Sequence, residues 1–578
     1  MQISGADLFV KALKEEGVDT LFAYPGGQAV DLFDALYGVE GIDVILPRHE
    51  QALVHAADGY ARASGKVGVC LVTSGPGATN MVTGIATANY DSVPLVCFSG
   101  QVPTHLIGND AFQEVDLVGI TRNICKYAVT VTKREQLAET IKKAFYIAKS
   151  GKPGVVVVDL PKDVQRAMGS DYYPDTISIR GYKPNTNVHI GQLNKALDLL
   201  RHAKRPVFLI GGGVNIAQAN EEMKQLAELC RVPVITTIMG KGAIDSDHEL
   251  YVGNIGIHGN YASNTAISQC DVLFSIGTRF NDRITGRIET FAKNAKIVHI
   301  DIDPASISRN IVVNIPVVSD AKVAIKAMLE RMQPLDTKEW IDTIQEWKAQ
   351  YPIMINKEGL NPQHIIQTIN DSFDDCIITT DVGQNQLWTT QFVQLKKGKK
   401  LLTSGGLGTM GYGLPSAIGA QLAFPNRRVI SINGDGGIQM NIQELATAVV
   451  YQLPVIICVL NNGYLGNVRQ WQEMFYKKNY ASTCLRFRKG TCPKTCNTPS
   501  ASCPAYTPDF VSLAESYGLQ ALRVCALEDM QEAIDKAKAE TTRPTLIEFI
   551  IDREMNVMPM VPPGNNLSDM ILESEGEI

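Results

Sequence analysis

Val429-Ile430-Ser431-Ile432-Asn433-Gly434-Asp435-Gly436, followed after a helically spaced stretch (Asn441 to Tyr451) by Leu453-Pro454-Val455-Ile456-Ile457-Cys458-Val459-Leu460-Asn461-Asn462, decides the fold. Each run is short, almost continuously apolar, and ends in polar or glycine residues. Parallel strands covered on both faces read this way. The pattern recurs at Val67 to Val72, Leu95 to Phe98, Val155 to Asp159, Val207 to Ile210, Val272 to Ile276, Ile297 to Asp301 and Leu546 to Ile550. Strand, turn, helix, strand in repetition predicts an α/β protein with doubly wound parallel sheets. Met1-Gln2-Ile3-Ser4 reads as already helical, with Leu8, Phe9, Ala12 and Leu13 on one face. A helix is expected over Gln51 to Ser64. Another should start at Thr507-Pro508-Asp509, with Thr as N-cap and Pro in the first helical position. The pattern lapses around 166–188 and 335–362. This predicts domains at 1–165, 189–335 and 361–551, with a C-terminal tail at 552–578.

The 578 residues carry 54 Lys+Arg against 60 Asp+Glu, a net charge of −6, with 45% hydrophobic and 20% charged residues. These values suit a globular enzyme and exclude collagen-like, disordered or disulfide-stapled classes. Mild acidity argues against nucleic acid as a partner. No basic segment precedes an apolar one at the N-terminus, and the longest apolar runs fall short of the roughly 18 residues of a membrane span. A cytoplasmic protein without a membrane partner is therefore expected. The twelve cysteines fit this, since Cys70, Cys97, Cys270 and Cys458 lie in or beside apolar runs, where a thiol acts as a small hydrophobe.

Asp435 and Asn462 fall at the C-terminal ends of two expected strands, where doubly wound sheets bind ligands. A hard cation such as Mg²⁺ takes oxygens from a carboxylate, an amide and a backbone carbonyl, and phosphate oxygens can complete its shell. The glycines around Asp435 let a diphosphate approach the backbone. Gly-Asp-Gly alone is a common turn; Asn461-Asn462 at the end of the next strand favours the cation. In the middle region, Gly211-Gly212-Gly213 after Val207 to Ile210 permits close approach to a dinucleotide phosphate, although a triplet is weaker than a full fingerprint. Cys484, Cys492, Cys496 and Cys503 interrupt the α/β pattern. Four thiolates are a tetrahedral Zn²⁺ donor set; the alternative is an insertion with free thiols.

With these motifs in hand, the chain resembles the thiamine-diphosphate (ThDP) enzymes and, among them, the acetohydroxyacid (acetolactate) synthases. The resemblance spans nearly the whole chain. It includes Tyr24-Pro25-Gly26-Gly27, Arg48-His49-Glu50, Thr73-Ser74-Gly75-Pro76-Gly77, Asp110-Ala111-Phe112-Gln113-Glu114, Asp159-Leu160-Pro161-Lys162, Arg279-Phe280-Asn281-Asp282-Arg283, Gly408-Thr409-Met410-Gly411 and Met558-Pro559-Met560-Val561-Pro562.

The resemblance implies a pyrimidine-binding and a diphosphate-binding domain flanking a Rossmann-like, FAD-binding middle domain. It implies Glu50 as the carboxyl that activates the aminopyrimidine, and Met410 as the wedge that bends ThDP. Gly27, Pro76, Gln384, Asn385, Gly408, Gly434, Gly436 and Met440 would contact ThDP. Asp435, Asn462 and the Tyr464 carbonyl would hold Mg²⁺. Arg283 would meet the second ketoacid's carboxylate, Trp471 would select the acceptor, and Gln113, Phe112 and Lys162 would complete the pocket. Lys152, Gly211, Gly212, Gly213, His258, Gly277, Arg279, Asp282, Asp301 and Ile302 would contact a structural FAD. The implied reaction joins two pyruvates, or pyruvate and 2-ketobutyrate, with loss of CO₂, toward branched-chain amino acids. A homodimer or homotetramer and a small regulatory subunit are implied partners. The alternatives are another ThDP-dependent pyruvate decarboxylase or oxidase, and a catalytically silent ThDP-fold scaffold subunit.

Overall fold

The computed structural model describes residues 1–355, 359–396, 398–500 and 502–573. It contains three six-stranded sheets and a two-stranded ribbon. The first sheet runs, in spatial order, Asp43–Ile45, Thr20–Ala23, Gly68–Val72, Leu95–Gln101, Val155–Pro161 and Tyr127–Thr130, all parallel. The second is also parallel: Tyr251–Asn254, Val234–Thr236, Pro206–Ile210, Val272–Ile276, Lys296–Asp301 and Ile315–Val318. In the third, Cys376–Thr380, Arg428–Gly434, Ile456–Asn461, Thr545–Ile550 and Gln520–Val524 lie side by side in parallel. Central strands such as Val155–Pro161 are buried along their whole length, because helices cover both faces. Each expected strand run coincides with one of these strands, to within three residues at the ends.

The chain packs as two compact units. One comprises Met1–Lys183, Cys376–Gln386 and Leu402–Arg553, and so holds the first sheet and these five strands of the third. The other comprises Pro184–Asp375, Leu387–Leu401 and the chain from Glu554. In the second unit Val561 and Leu567 are buried in the core with Ile284 and Trp340. The Met- and Pro-rich tail is thereby part of that core. In the first unit, helix Glu50–Ser64 crosses helix Gly413–Ala423 at backbone contact. A Cβ on Gly59 would lie 2.1 Å from the Ser416 carbonyl, and one on Gly419 would lie 1.8 Å from that of Ala56. No helix among the described residues is long and apolar enough to cross a membrane.

Three local expectations are corrected. Gln2–Ser4 is a strand, antiparallel to Met168–Ser170. The helix starts at Gly5, where Ser4 and Asp7 form a capping box. Asn441 to Tyr451 is not one helix. Asn441 leaves helical geometry, at φ −136°, to donate to the Gly411 carbonyl, and the α-helix begins at Leu445. Helix Phe510–Tyr517 is capped by Asp509, which accepts from Ser512 N at 3.0 Å, rather than by Thr507.

Candidate functional site

At the strand ends of the third sheet, Asp435 is fully buried and burial pushes its carboxyl up to about 7. Its Oδ2 accepts from Gly463 N at 3.1 Å, which joins the Gly434–Gly436 turn to the Asn462 turn. Asn462 donates to Gln384 Oε1 at 3.1 Å, and Gln384 donates to Gln470 at 2.9 Å, all buried. Asn462 Oδ1 accepts from Tyr464 N at 3.0 Å, so the turn closes on itself. Asn385 donates to the carbonyls of Asp381 and Ile432, at 2.8 and 3.0 Å.

Asp381, which the sequence pattern did not single out, organises the neighbouring loop. Its buried carboxylate accepts from the backbone N–H groups of Val382, Gly411 and Gly413, and burial raises it to about 6. Gly436 sits close to its neighbours: a Cβ would lie 2.7 Å from Leu465 Cδ2 and 3.8 Å from Met410 Cε. Gly408 faces open space, at φ +76°, and Met440 is half exposed beside the same loop.

A buried charged network outside the expected site holds this loop from the other side. Arg62 lies between Asp58 (2.7 Å) and Asp91 (2.9 Å), whose side chains have no exposure. Arg62 also donates to the Thr403 carbonyl at 3.0 Å, and Gly405 N donates to Asp91 at 3.1 Å. Tyr412 donates to Asp58 at 2.6 Å, and the hydroxyls of Thr87 and Thr409 bond at 2.7 Å. The loop carrying Met410 is thus pinned near both ends.

Around the first sheet, Glu50 opens its helix with His49 as N-cap. It is half-buried and accepts from Asn80 Nδ2 at 2.9 Å. Gly77, which follows Pro76, faces the Glu50 carboxylate: a Cβ there would lie 3.5 Å from its Oε1. Gly26 has no room for a side chain against Thr73, whereas Gly27 faces open space. Lys162 donates to the Gly27 carbonyl at 2.6 Å. Gln113 has φ +61° and packs over Gly75, and Phe112 is 85% exposed. Trp471 lies on helix Gly466–Phe475 beside the buried Gln470. Lys152 also belongs to this unit.

Arg283, expected to meet the substrate carboxylate, and the expected FAD residues other than Lys152 lie in the second unit. Arg283 is largely exposed, 3.7 Å from the exposed Asp282. Asp301 is buried and accepts from Asp303 N at 2.9 Å; Ile302 and Arg279 are half-buried. His258 bonds the Pro559 carbonyl at 3.2 Å, and burial holds its imidazole down to about 4. The glycine triplet lies in a crowded turn. Cβ atoms on Gly211 and Gly213 would strike Gly277, at 2.1 and 2.7 Å, and one on Gly212 would touch Met239 at 3.0 Å. Close packing of two strand-end turns explains these glycines.

The zinc expectation is also corrected. Among the described residues no three His, Cys, Asp or Glu side chains form a metal-holding group. All twelve cysteines are free. Cys492 accepts from Arg488 N, Cys496 donates to the Thr498 carbonyl, and Cys484 and Cys503 turn toward Arg553. Local backbone bonds take up Cys492 and Cys496, and the Arg553 guanidinium meets Cys484 and Cys503; the four sulfurs share no metal-holding centre among the described residues.

Three family models match: the thiamine pyrophosphate enzyme N-terminal TPP-binding domain over residues 3–120, the central domain over 193–328, and the C-terminal TPP-binding domain over 381–549. The chain is 46% identical over 592 residues to the "Probable acetolactate synthase large subunit" of Methanococcus aeolicus, covering 98% of this chain and 95% of that protein. It is 42% identical over 584 residues to the acetolactate synthase isozyme 3 large subunit of Escherichia coli K12, covering 99% and 98%. It is 42% identical over 578 residues to the acetolactate synthase large subunit of Corynebacterium glutamicum, covering 98% and 90%. The chain therefore belongs to the thiamine pyrophosphate enzymes, within the family of acetolactate synthase large subunits.

Proposed function

We propose that this chain is the catalytic polypeptide of an acetolactate synthase, which joins two molecules of pyruvate, or pyruvate and 2-ketobutyrate, with loss of CO₂. The observation that carries the reading is the pairing of the Asp435 and Asn462 turns at adjacent strand ends. Their donor set fits Mg²⁺: a buried carboxylate with no ion-pair partner among the described residues, an amide oxygen and the Tyr464 carbonyl. When bound, thiamine diphosphate supplies the electron sink that a 2-ketoacid needs to lose CO₂. Gly408, Gly434 and Gly436 would admit the diphosphate, Met410 would set the angle between the cofactor's rings, and Gln384, Asn385, Met440, Gly27 and Pro76 would line it. Glu50 would exchange a hydrogen bond and a proton with the aminopyrimidine. In the second unit Arg283 would hold an acceptor's carboxylate through its planar fork; in the first, Trp471, Phe112, Gln113 and Lys162 would be the substrate-facing side chains.

FAD would sit on the second sheet as a structural group, because the condensation has no net redox change. Thr278 Oγ1 and Asn281 Oδ1 are buried there without hydrogen-bond partners among the described residues, which fits a bound polar cofactor. His258, Gly277, Arg279, Asp282, Asp301 and Ile302 would face it. A homodimer and a smaller regulatory partner belong to the same proposal, supported by the relatives' names as large subunits. Twelve free thiols support a reducing, cytoplasmic setting.

The test is product analysis of the purified chain with ThDP, Mg²⁺, FAD and pyruvate, with and without 2-ketobutyrate. Acetolactate, giving way to acetohydroxybutyrate when 2-ketobutyrate is present, is expected. Acetaldehyde or acetate alone would refute the carboligation. E50Q should keep the fold and lose most turnover, roughly 10²–10⁴-fold for a lost proton-transfer group; undiminished acetolactate formation would remove Glu50 from this role.

A further inference from the structure

The cysteine-rich segment is rooted on the Asn462 turn. Tyr464 and Cys484 form an antiparallel bridge, Leu465 N donates to the Thr483 carbonyl, and Leu485 N donates to that of Gly463, both at 2.9 Å. Its return strand is laced to its outgoing strand. Arg486 donates to the Cys503 and Pro504 carbonyls, and Arg488 donates to that of Ala505. Cys484 and Cys503 therefore stand at the neck of the loop. One guanidinium meets both thiols. Arg553 Nη2 lies 3.7 Å from Cys484 Sγ, and its side chain bonds Cys503. The same Arg553 donates to the Asn462 carbonyl at 3.4 Å and lies 4.7 Å from the centre of the Tyr464 ring.

We propose that Cys484 and Cys503 are a peroxide-responsive thiol pair, and that joining them displaces Arg553 from the Asn462 turn and lowers turnover. The effect on turnover rests on the reading of that turn as the cation site. Both thiols are partly exposed, whereas Cys70, Cys97 and Cys458 are sealed in the core. The Ser500 N–H and, after it, Arg553 stabilise the Cys503 thiolate and lower its pKa, which favours it as the attacking sulfur. The thiolate attacks hydrogen peroxide; the O–O bond breaks, leaving a sulfenic acid and, with the thiol's proton, one water. Cys484 sulfur then attacks the Cys503 sulfur. The S–S bond forms, the S–O bond breaks, and the departing hydroxide leaves with the Cys484 proton as a second water. Two thiols lose two electrons and one peroxide becomes two waters. A disulfide carries no thiolate charge and requires the two Cβ atoms to approach to about 4 Å, so the contacts that Arg553 makes with both sulfurs are lost. Such a bond would be transient and reversed by a dithiol, as sensing disulfides are.

The test treats the full-length holoenzyme with hydrogen peroxide, blocks residual thiols, digests with trypsin without reduction, and measures peptide masses and activity. Trypsin cuts within the loop at Arg486, Arg488, Lys489 and Lys494, so the peptides bearing Cys484 and Cys503 remain joined only through sulfur, and fragmentation of the joined pair tells Cys503 from Cys496, which shares its peptide. The expected result is a Cys484–Cys503 link in most molecules, at least a fivefold loss of turnover, and recovery of both with dithiothreitol. C503S should keep its basal activity and resist the loss. A Cys492–Cys496 link instead, oxidation confined to the exposed Cys525, or a Cys484–Cys503 link with unchanged turnover would each overturn the proposal. A chain that never forms acetolactate but still forms the link would count against the functional reading and leave the thiol chemistry standing.

Discussion

Replacing Arg62 by methionine tests whether the buried charged network holds the Met410 loop in place. The substitution keeps much of the aliphatic stem and removes the guanidinium. The carboxylates of Asp58 and Asp91, neither of them exposed, then lose their shared cation, and the Thr403 carbonyl loses its donor. Removing one partner of a buried ion pair costs about 3–5 kcal/mol, because the remaining charge is left without compensation. In a unit this large, 1 kcal/mol corresponds to roughly 2 °C, so its unfolding transition should fall by about 6–10 °C. Scanning calorimetry at neutral pH reads this directly. Adding D91N removes one stranded charge while keeping an acceptor for Gly405 N, and should recover part of the loss. ThDP titration of R62M should show weaker binding, since the loop bearing Met410 is no longer pinned at Thr403 and Asp91, which holds Gly405 N, loses its own anchor. A transition within about 2 °C of the parent, with unchanged ThDP affinity, would refute the reasoning.

D435N should leave the cofactor-free protein at least as stable as the parent, since burial already disfavours this carboxylate, yet abolish the thermal stabilisation by ThDP with Mg²⁺; a shift as large as the parent's would remove Asp435 from the cation site. Burial depresses the His258 imidazole from 6.5 to about 4, so its contribution is complete above pH 6.5 and lost as pH falls toward 4, on the order of 3 kcal/mol. Limited proteolysis of the 554–573 segment should accelerate between pH 7 and 5, and H258Q should flatten the dependence. G419A should not yield folded protein, because its Cβ would occupy the place of the Ala56 carbonyl; a folded, active G419A would show that the crossing can open.

The parallel strands were legible because burial on both faces forces an unbroken apolar run, and Val155–Pro161 or Ile456–Asn461 admits little else. The turn residues Asp435 and Asn462 were legible through their fixed relation to those strands. The network around Arg62 was not: its partners lie at 58, 91, 403, 405 and 412, and no local pattern marks a charge as buried. Asp381 was missed for the same reason, since its ligands are backbone N–H groups. Gln2–Ser4 was read as helix because its strand partner, Met168–Ser170, is remote in the chain. Cysteine spacing suggested zinc, but spacing alone does not fix where the sulfurs point.

The crossing of Glu50–Ser64 over Gly413–Ala423 makes that helix a lever. Backbone contact at Ala56 and Gly59 is the fulcrum; Arg62 ends the short arm and Glu50 the long one. From Gly59 to Glu50 the arm is about 13 Å, so a tilt of about 5° would carry the carboxylate roughly 1 Å. A displacement of that size can cost about a hundredfold in rate. Substitutions near Arg62, far from any reacting atom, should therefore act as tuning screws on Glu50, and variants selected for altered activity are expected to gather there as well as in the pocket.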